Sequence, residues 1–191
     1  MDADYPAMTA FMLEVEVKSR LGDARAFSRN LARARARATK ALVEEDTYFS
    51  HPGRDFSSTD EALRIRRAGK QADLTYKGPK LDRKSKTREE IVIPLDGPDG
   101  AARAEAILLR LGFGRVSVVR KRRRVYNLGR FEICVDHVEG LGDFVEIEAR
   151  GPRKGYARLR DEALALLGRL GAMEPERRSY LELLLAKKKA R

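Results

Sequence analysis

The chain of 191 residues contains 40 lysines and arginines against 29 aspartates and glutamates, a net charge of +11, and 42% of its residues are hydrophobic. This length and composition suit one large domain with a buried core. The positive balance favours anionic partners: phosphates, nucleotides, nucleic acid or an acidic membrane surface. The single cysteine, Cys134, excludes an intrachain disulfide, and we find neither a signal peptide nor an apolar run near the ~18 residues of a membrane span. We therefore expect a cytoplasmic protein without a membrane partner.

Strands outnumber helices along the chain. Period-two alternation of apolar and polar residues predicts strands, and stretches rich in alanine, arginine and leucine predict helices. In chain order we predict a strand over 12–18, a helix over 23–42, strands over 43–49, 62–67, 71–80 and 88–95, a helix over 99–111, a hairpin over 116–138 that turns at Asn127–Gly129, a strand over 144–150, and helices over 154–171 and 174–188. Because few helices separate the strands, most strand pairs should be antiparallel. We therefore predict an α+β fold, an eight-stranded antiparallel β-barrel or tunnel with helices packed outside.

Charged side chains alternate with their neighbours along several of the predicted strands, beginning with EVEVK at residues 14–18. A solvated edge strand would explain EVEVK alone, but the same pattern on five strands indicates one shared charged face. A dry barrel could not hold that face, because each unpaired buried ion costs several kcal/mol, whereas a wet tunnel could. The bases expected inside are Lys18, Arg64, Arg66, Lys77, Arg88, Lys121 and Arg123, and the acids are Glu14, Glu16, Glu90, Asp136, Glu146 and Glu148.

A tunnel of this kind suits a polyphosphate and a divalent cation. Arginine offers phosphate a planar fork and lysine a point charge, while carboxylates hold Mg²⁺ or Mn²⁺ and bridge it to substrate phosphates. The chain has neither a G-x-x-x-x-G-K-[ST] nor a G-x-G-x-x-G loop, so side chains must bind the phosphates. Its only histidines are His51 and His137, which leaves little for a histidine-based metal site or triad.

The predicted helix over 23–42 carries an arginine run with two interpretations. Phe27 and Leu31 lie four residues apart, so one stripe can pack while the arginines form a solvated face. The alternative is a patch for nucleic acid. Aromatic residues, on which nucleic-acid modules stack bases, make up only 7% of the chain. We do not expect a nucleic-acid partner, and a non-catalytic polyanion or RNA binder remains the alternative to an enzyme.

Taken together, these motifs resemble the CYTH superfamily, the triphosphate tunnel metalloenzymes. EVEVK matches its ExExK signature, and LRIRR, LTYKGPK, TREE, VRKRRRVY and VDHVEGLGDFVEIE follow in the family's order. ERRSYLELL resembles the closing segment of the class IV adenylyl cyclases. The resemblance runs from about Met12 to Leu185 and implies a single CYTH domain over 12–185, followed by a basic tail over 186–191.

The resemblance also implies roles for individual residues. The metal, Mg²⁺ or Mn²⁺, would be held by Glu14, Glu16 and Glu146, with Glu148 and Asp136 close by. The triphosphate would contact Lys18, Arg64, Arg66, Lys77, Lys121 and Arg123, and Arg88, a further substrate contact, would pair with Glu90 inside the tunnel. We assign the chemistry to Glu14, Glu16, Lys18 and Lys77. Two reactions fit: cyclisation of ATP to cyclic AMP and pyrophosphate, or hydrolysis of inorganic, nucleoside or thiamine triphosphate. Many proteins of this type form homodimers.

Overall fold

The computed structural model describes residues 13–82, 85–172 and 174–190, and there it contains the predicted succession of eight strands and four helices. Met12, the predicted start of the first strand, lies outside these residues. No helix of the described part is long and apolar enough to cross a membrane. The elements are β1 (Leu13–Arg20), α1 (Ala24–Arg33), β2 (Arg37–Ser50), β3 (Ala62–Ala68), β4 (Gln71–Lys77), β5 (Glu90–Pro94), α2 (Gly100–Arg110), β6 (Gly114–Leu128), β7 (Phe131–Val138), β8 (Gly142–Gly151), α3 (Tyr156–Arg169) and α4 (Tyr180–Lys189).

All eight strands form one antiparallel sheet in the order β1-β8-β7-β6-β2-β3-β4-β5. The sheet curls until the segment before β5 meets β1. The backbones of Glu14 and Arg88 exchange two long hydrogen bonds of 3.4 Å, and the Lys86 N–H donates to the Glu16 carbonyl at 2.9 Å. The predicted eight-stranded antiparallel barrel is therefore confirmed, with its two outer strands joined by three residues that precede β5.

The apolar core lies outside the curled sheet. Val17 of β1 and Ile147 of β8 face outward and pack against Phe27 and Leu31 of α1 and against the apolar side of α3. Helix α2 covers the outer face of β3 in a second cluster. Successive side chains of a strand point to opposite faces. Because the apolar residues are buried under the helices, the charged residues of the same strands point into the interior of the curled sheet.

The predicted helix over 23–42 is wrong in its second half. Asp23 caps α1, since its Oδ1 accepts hydrogen bonds of 2.9 Å from the backbone N–H groups of Arg25 and Ala26. The helix ends at Arg33, and β2 begins at Arg37 and pairs with β6. Alanine and arginine favour a helix locally, but strand pairing along β6 overrides that weak preference.

The last helix also begins later than predicted, at Tyr180 rather than at residue 174. Ser179 and Glu182 form a capping box that fixes this start. The residues before it run extended along β1: Pro175 bridges Ser19, and the Glu176 N–H donates to the Lys18 carbonyl at 2.7 Å. This segment and α4 cover the end of the sheet at which β1 finishes.

The position of the core predicts how two isoleucines differ. Ile147 is fully buried, whereas Ile93 of β5 is 53% exposed. We expect Ile147→Ala to lower the free energy of unfolding by about 2–5 kcal/mol, because it leaves a cavity in a packed cluster. Ile93→Ala, the matched control, should change it by about 0.5 kcal/mol or less. Urea denaturation of both variants measures the difference, and equal losses would contradict a core outside the sheet.

Candidate active site

The curled sheet encloses a cavity of about 1060 Å³ whose wall is largely charged. The predicted site residues that line it are Glu14, Glu16, Arg64, Arg66, Lys77, Arg88, Glu90, Lys121, Arg123, Glu146 and Glu148. Lys18 and Asp136 are each 1% exposed and lie behind the wall, next to Tyr180 of α4. Alternation along the strands therefore predicted the side chains of one enclosed site.

Three carboxylates converge on one side of the cavity. Oxygen atoms of Glu14, Glu16 and Glu148 all lie within 4.8 Å of one another. Burial raises the pKa of Glu148 well above its ordinary value of 4.5, and the nearby Glu14 charge adds to this. Burial likewise raises the pKa of Glu14. Three crowded carboxylates, of which Glu14 and Glu148 have raised pKa values, suit a divalent cation with a preference for oxygen ligands, so these three residues could hold a metal.

Asp136 and Glu146 are both bound by Arg123. Arg123 donates two parallel bonds to Asp136, from Nε to Oδ1 at 2.8 Å and from Nη2 to Oδ2 at 2.6 Å, and the Tyr180 hydroxyl donates to the same carboxylate at 3.0 Å. Glu146 accepts a bond of 2.5 Å from Arg123 and lies 3.5 Å from the Lys86 ammonium. The structure thus separates the five expected metal ligands into a cluster of three and a pair bound to Arg123.

Two acids of β2 that we did not predict neutralise the opposite wall. Asp46 receives a bidentate pair from Arg66, at 2.6 and 2.7 Å, and its pKa is held far below its ordinary value against the effect of burial. Glu44 lies 2.9 Å from the Lys121 ammonium and 3.1 Å from Arg66. Both acids lie in the strand predicted over 43–49 and two residues apart, but Glu45 between them is also charged, so VEEDT lacks the charged–apolar alternation of EVEVK.

Lys86 is a third residue that the sequence analysis missed, and no periodic pattern marks it. It lies in the polar connection between β4 and β5, where its backbone bond to Glu16 fixes its position. Its ammonium forms ion pairs with Glu16 and Glu146. These two carboxylates raise the pKa of Lys86 in spite of its complete burial, so Lys86 joins the metal side of the cavity to the Arg123 cluster.

Arg88 is a buried cation with little to neutralise it. It is 5% exposed, and no carboxylate of the described residues lies within ion-pair distance. Its Nη1 reaches the Gly78 carbonyl at 3.5 Å, and its Nε has no hydrogen-bond partner, as is also true of Arg64. The expected pairing of Arg88 with Glu90 is not what the structure shows, because Glu90 pairs with Lys77. A buried guanidinium in this state is a ready partner for an incoming anion.

Lys18 has no carboxylate of the described residues within ion-pair distance. Its ammonium donates to the Arg178 carbonyl and sits 4.2 Å from the centre of the Tyr180 ring. Burial, together with the charge of Lys86, lowers the pKa of Lys18 to about 7. A nearby phosphate would oppose both effects and favour the charged ammonium, which places Lys18 among the groups that an anionic ligand would stabilise.

The sequence matches the CYTH domain family over residues 12–180. The chain belongs to this family. CYTH enzymes act on triphosphates, and the cavity has the charges that such ligands need. Its sequence is also similar to relatives of the class IV adenylyl cyclase-like branch.

Two relatives and one solved structure illustrate the likeness. A candidate adenylate cyclase of Methanocaldococcus jannaschii, MJ0240, is 37% identical over 175 residues, which is 90% of this chain and 98% of the relative. The adenylate cyclase CyaB of Aeromonas hydrophila is 36% identical over 138 residues, 70% of this chain and 67% of that protein. The structure of PH1819 from Pyrococcus horikoshii OT3 is 41% identical, covers 91% of this chain and 99% of its own, and superposes with a TM-score of 0.85.

Glu148 gives a test of the carboxylate cluster that does not require activity. Because its folded-state pKa is raised, the folded protein binds more protons than the unfolded chain above about pH 4.5, and stability falls as pH rises toward the folded pKa. In EDTA at pH 8 we therefore expect Glu148→Gln to melt higher than wild type, with a smaller difference at pH 5. Thermal melting at both pH values measures this.

The same variant tests metal binding. Mn²⁺ or Mg²⁺ should raise the melting temperature of the wild type, since a ligand at 100 times its Kd stabilises by about 2.7 kcal/mol, and Glu148→Gln should lose most of that rise. Glu139→Gln, which changes an exposed acid outside the cavity, is the matched control. An identical metal-induced shift in wild type and Glu148→Gln would count against the three-carboxylate site.

Proposed function

We propose that this CYTH protein is a divalent-metal-dependent enzyme that converts ATP to cyclic AMP and pyrophosphate, as class IV adenylyl cyclases do. One observation carries the proposal: a cluster of three carboxylates and a set of incompletely neutralised buried arginines face the same cavity. Each group is unfavourable without a ligand, because the carboxylates repel one another and the buried arginines have Nε atoms without a hydrogen-bond partner among the described residues. A metal–triphosphate complex supplies a cation to the carboxylates and anionic oxygens to the arginines.

The phosphates would lie against the arginines. Arg88 and Arg64 have buried Nε atoms without partners, so each could donate to a phosphate oxygen without breaking an existing bond at that atom. Arg66 and Lys121 are already paired with Glu44 and Asp46 and would contribute mainly long-range charge. Lys77 is paired with Glu90 in the same way. We therefore rank Arg88 first among the predicted phosphate contacts, with Arg64 next.

Glu14, Glu16 and Glu148 would hold the cation, for which Mg²⁺ or Mn²⁺ fits the all-oxygen donor set. Bound there, the metal would neutralise charge on the phosphates and orient them. Asp136 and Glu146 stay predicted ligands only if a bound metal displaces Arg123 from them. Their present contacts favour a role in positioning Arg123.

In the cyclase reaction, the ribose 3′-oxygen attacks the α-phosphorus, the bond to the bridging oxygen breaks, and pyrophosphate leaves with that oxygen. The 3′-hydroxyl releases its proton as the new oxygen–phosphorus bond forms. Transfers at phosphorus depend on positioning and charge neutralisation more than on covalent help, which the clustered acids and bases provide. A cavity of about 1060 Å³ lies at the upper end of the roughly 300–1,000 Å³ range of organic ligand sites, so a nucleoside fits beside the triphosphate.

A triphosphatase is the second candidate, because the same cavity could direct water at a terminal phosphorus of inorganic, nucleoside or thiamine triphosphate. The Hippeastrum protein HpAC1, a candidate adenylyl cyclase described as having a dominant triphosphatase activity, is 20% identical with a TM-score of 0.64. At that identity the likeness is one of fold alone. The relatives at 36–37% identity are named for cyclase activity, and they favour the cyclase.

Two further expectations accompany this proposal. An enzyme that consumes ATP and keeps its one thiol reduced suits the cytoplasm. A homodimer, as the family resemblance implies, would cover exposed apolar side chains such as Val43, Ile107 and Leu111, which are 58–63% exposed.

The decisive assay offers purified protein ATP and inorganic triphosphate in parallel, with Mg²⁺ or Mn²⁺, and resolves the products by chromatography. Cyclic AMP and pyrophosphate from ATP are the expected products. Glu16→Gln should abolish turnover while the protein stays folded, since it removes a charge of the carboxylate cluster and keeps the side chain's shape. Orthophosphate without cyclic AMP would replace the cyclase by a triphosphatase, and no turnover of either would favour a thiamine-triphosphate or polyanion ligand.

Arg88 allows a sharper test of the phosphate side. We expect Arg88→Gln to lower kcat/KM by about 10- to 100-fold, because a hydrogen bond to a charged group contributes roughly 1.5–3 kcal/mol. The control is Arg120→Gln, which removes an arginine that faces solvent and pairs with Glu45. Unchanged kinetics in Arg88→Gln, or an equal loss in both variants, would show that Arg88 does not bind the triphosphate.

A further inference from the structure

A row of arginines on the outer surface is unconnected with the tunnel. Arg25, Arg29 and Arg33 of α1 follow one another at intervals of four residues, and all three are exposed. They lie on the side of the helix opposite Phe27 and Leu31, which are buried in the core. Successive members are therefore one helical turn apart, on a single solvent-facing ridge.

The row continues beyond the helix, with exposed Arg35 and Arg37 in the connection and at the start of β2. We call these five residues, Arg25 to Arg37, the arginine ridge. Among the described residues, none of the five has a carboxylate within the 4.0 Å of an ion pair, although Asp23 at the helix cap is close enough for Arg25 and Arg29 to help lower its pKa. Arg33 donates a hydrogen bond of 3.4 Å to the Asn30 side chain. Some other exposed arginines, such as Arg120 and Arg158, pair with a glutamate, whereas the ridge is five arginines in succession along one surface that pair with no carboxylate of the described residues.

The ridge breaks three local rules of helix stability. Like charges four residues apart repel one another. Arg25 places a cation in the first turn, where the helix dipole favours an anion, and that turn contains no acid. Arg35 has φ 58°, a left-handed conformation that helices usually assign to glycine just after their end. A solvated face needs none of these choices, and sequences depart from local rules chiefly at functional sites.

A groove adjoins the ridge at its Arg33 end. It has a volume of about 750 Å³ and lies between α1, the β6–β7 turn and the end of α3. Its apolar wall contains Leu128, Phe131 and Leu170, and its rim contains Arg33, Arg130 and Arg169. The Arg130 guanidinium lies 5.6 Å from the centre of the Phe131 ring. An apolar, partly aromatic wall with a cationic rim suits a planar base attached to a phosphate backbone.

From these observations we propose that the arginine ridge and its groove bind single-stranded nucleic acid, with the backbone along the ridge and an unstacked base in the groove. Arginine throughout the ridge fits phosphate, which its guanidinium binds as a fork. Helix α1 exposes no apolar side chain larger than that of Ala32 among the arginines for insertion into a lipid surface. Aromatic residues are few in the chain as a whole, but one of them, Phe131, lies in this groove, where a base could stack on it.

The test measures binding of 5′-hydroxyl (dT)₂₀ and (rU)₂₀ by fluorescence anisotropy, in EDTA, between 50 and 200 mM NaCl. Five phosphate contacts predict a slope of log K against log [salt] of about −3.5, at roughly −0.7 per contact for single strands. Substituting Arg25, Arg29 and Arg33 together by glutamine should reduce the slope by about 2 and weaken binding at least 10-fold at 50 mM NaCl.

The matched control substitutes Arg103, Arg110 and Lys188 by glutamine, which removes the same charge from exposed positions on α2 and α4. It should bind within two-fold of wild type, as should Arg88→Gln, which alters the tunnel alone. Both triple variants should fold and turn over triphosphate as the wild type does, so the outcome does not depend on the proposed activity. The proposal would be overturned by equal weakening in the two triple variants or by no binding at 50 mM NaCl. It would also be overturned if a 20-base-pair duplex bound more tightly, or if inorganic polyphosphate bound and the oligonucleotides did not.

Discussion

The interior depends on one guanidinium. Arg123 of β6 is 7% exposed, donates to Asp136 of β7 and Glu146 of β8, and lies 4.0 Å from Glu44 of β2 and 3.8 Å from Glu148. It thereby connects four strands through their charged face. Because it engages Asp136 and Glu146, it leaves Glu14, Glu16 and Glu148 as the acids that crowd one another. The location of the candidate metal site follows from that division.

An incompletely neutralised interior lowers the stability of the ligand-free protein and favours the binding of a ligand that completes the neutralisation. Buried acids with raised pKa values and buried arginines with free Nε atoms both oppose folding. They face one another across a cavity, so one ligand that carries a cation and several anionic oxygens relieves both. The outer core, made by α1, α3 and α2 against the sheet, supplies the stability that this arrangement requires. Stability and binding are therefore assigned to opposite faces of the same strands.

Alternation along the strands could predict which side chains face the cavity, because a period of two needs no knowledge of neighbours. It found the acids of β1 and β8 and the bases of β3 and β6. It missed Glu44 and Asp46, although both lie in the strand predicted over 43–49, because Glu45 between them is also charged and breaks the alternation of charged and apolar residues. It also missed Lys86, which lies in the connection between β4 and β5, where the sequence has no alternation of charged and apolar residues. The sequence could not predict which acid pairs with which base, because the stagger between neighbouring strands sets the partners. Lys77 and Glu90 are one such pair, and Arg123 and Asp136 are another.

The balance of charge separates the two surfaces of the molecule. Inside the curled sheet, bases and acids occur in nearly equal numbers, and most are paired. The net charge of +11 must therefore reside mainly on the outside. Strand β6 shows the division directly, with Lys121 and Arg123 buried among acids and Arg122 and Arg124 exposed to solvent. A basic isoelectric point thus says little about the tunnel, whose ligand is selected by local geometry, and more about what the outer surface attracts over the range of a Debye length.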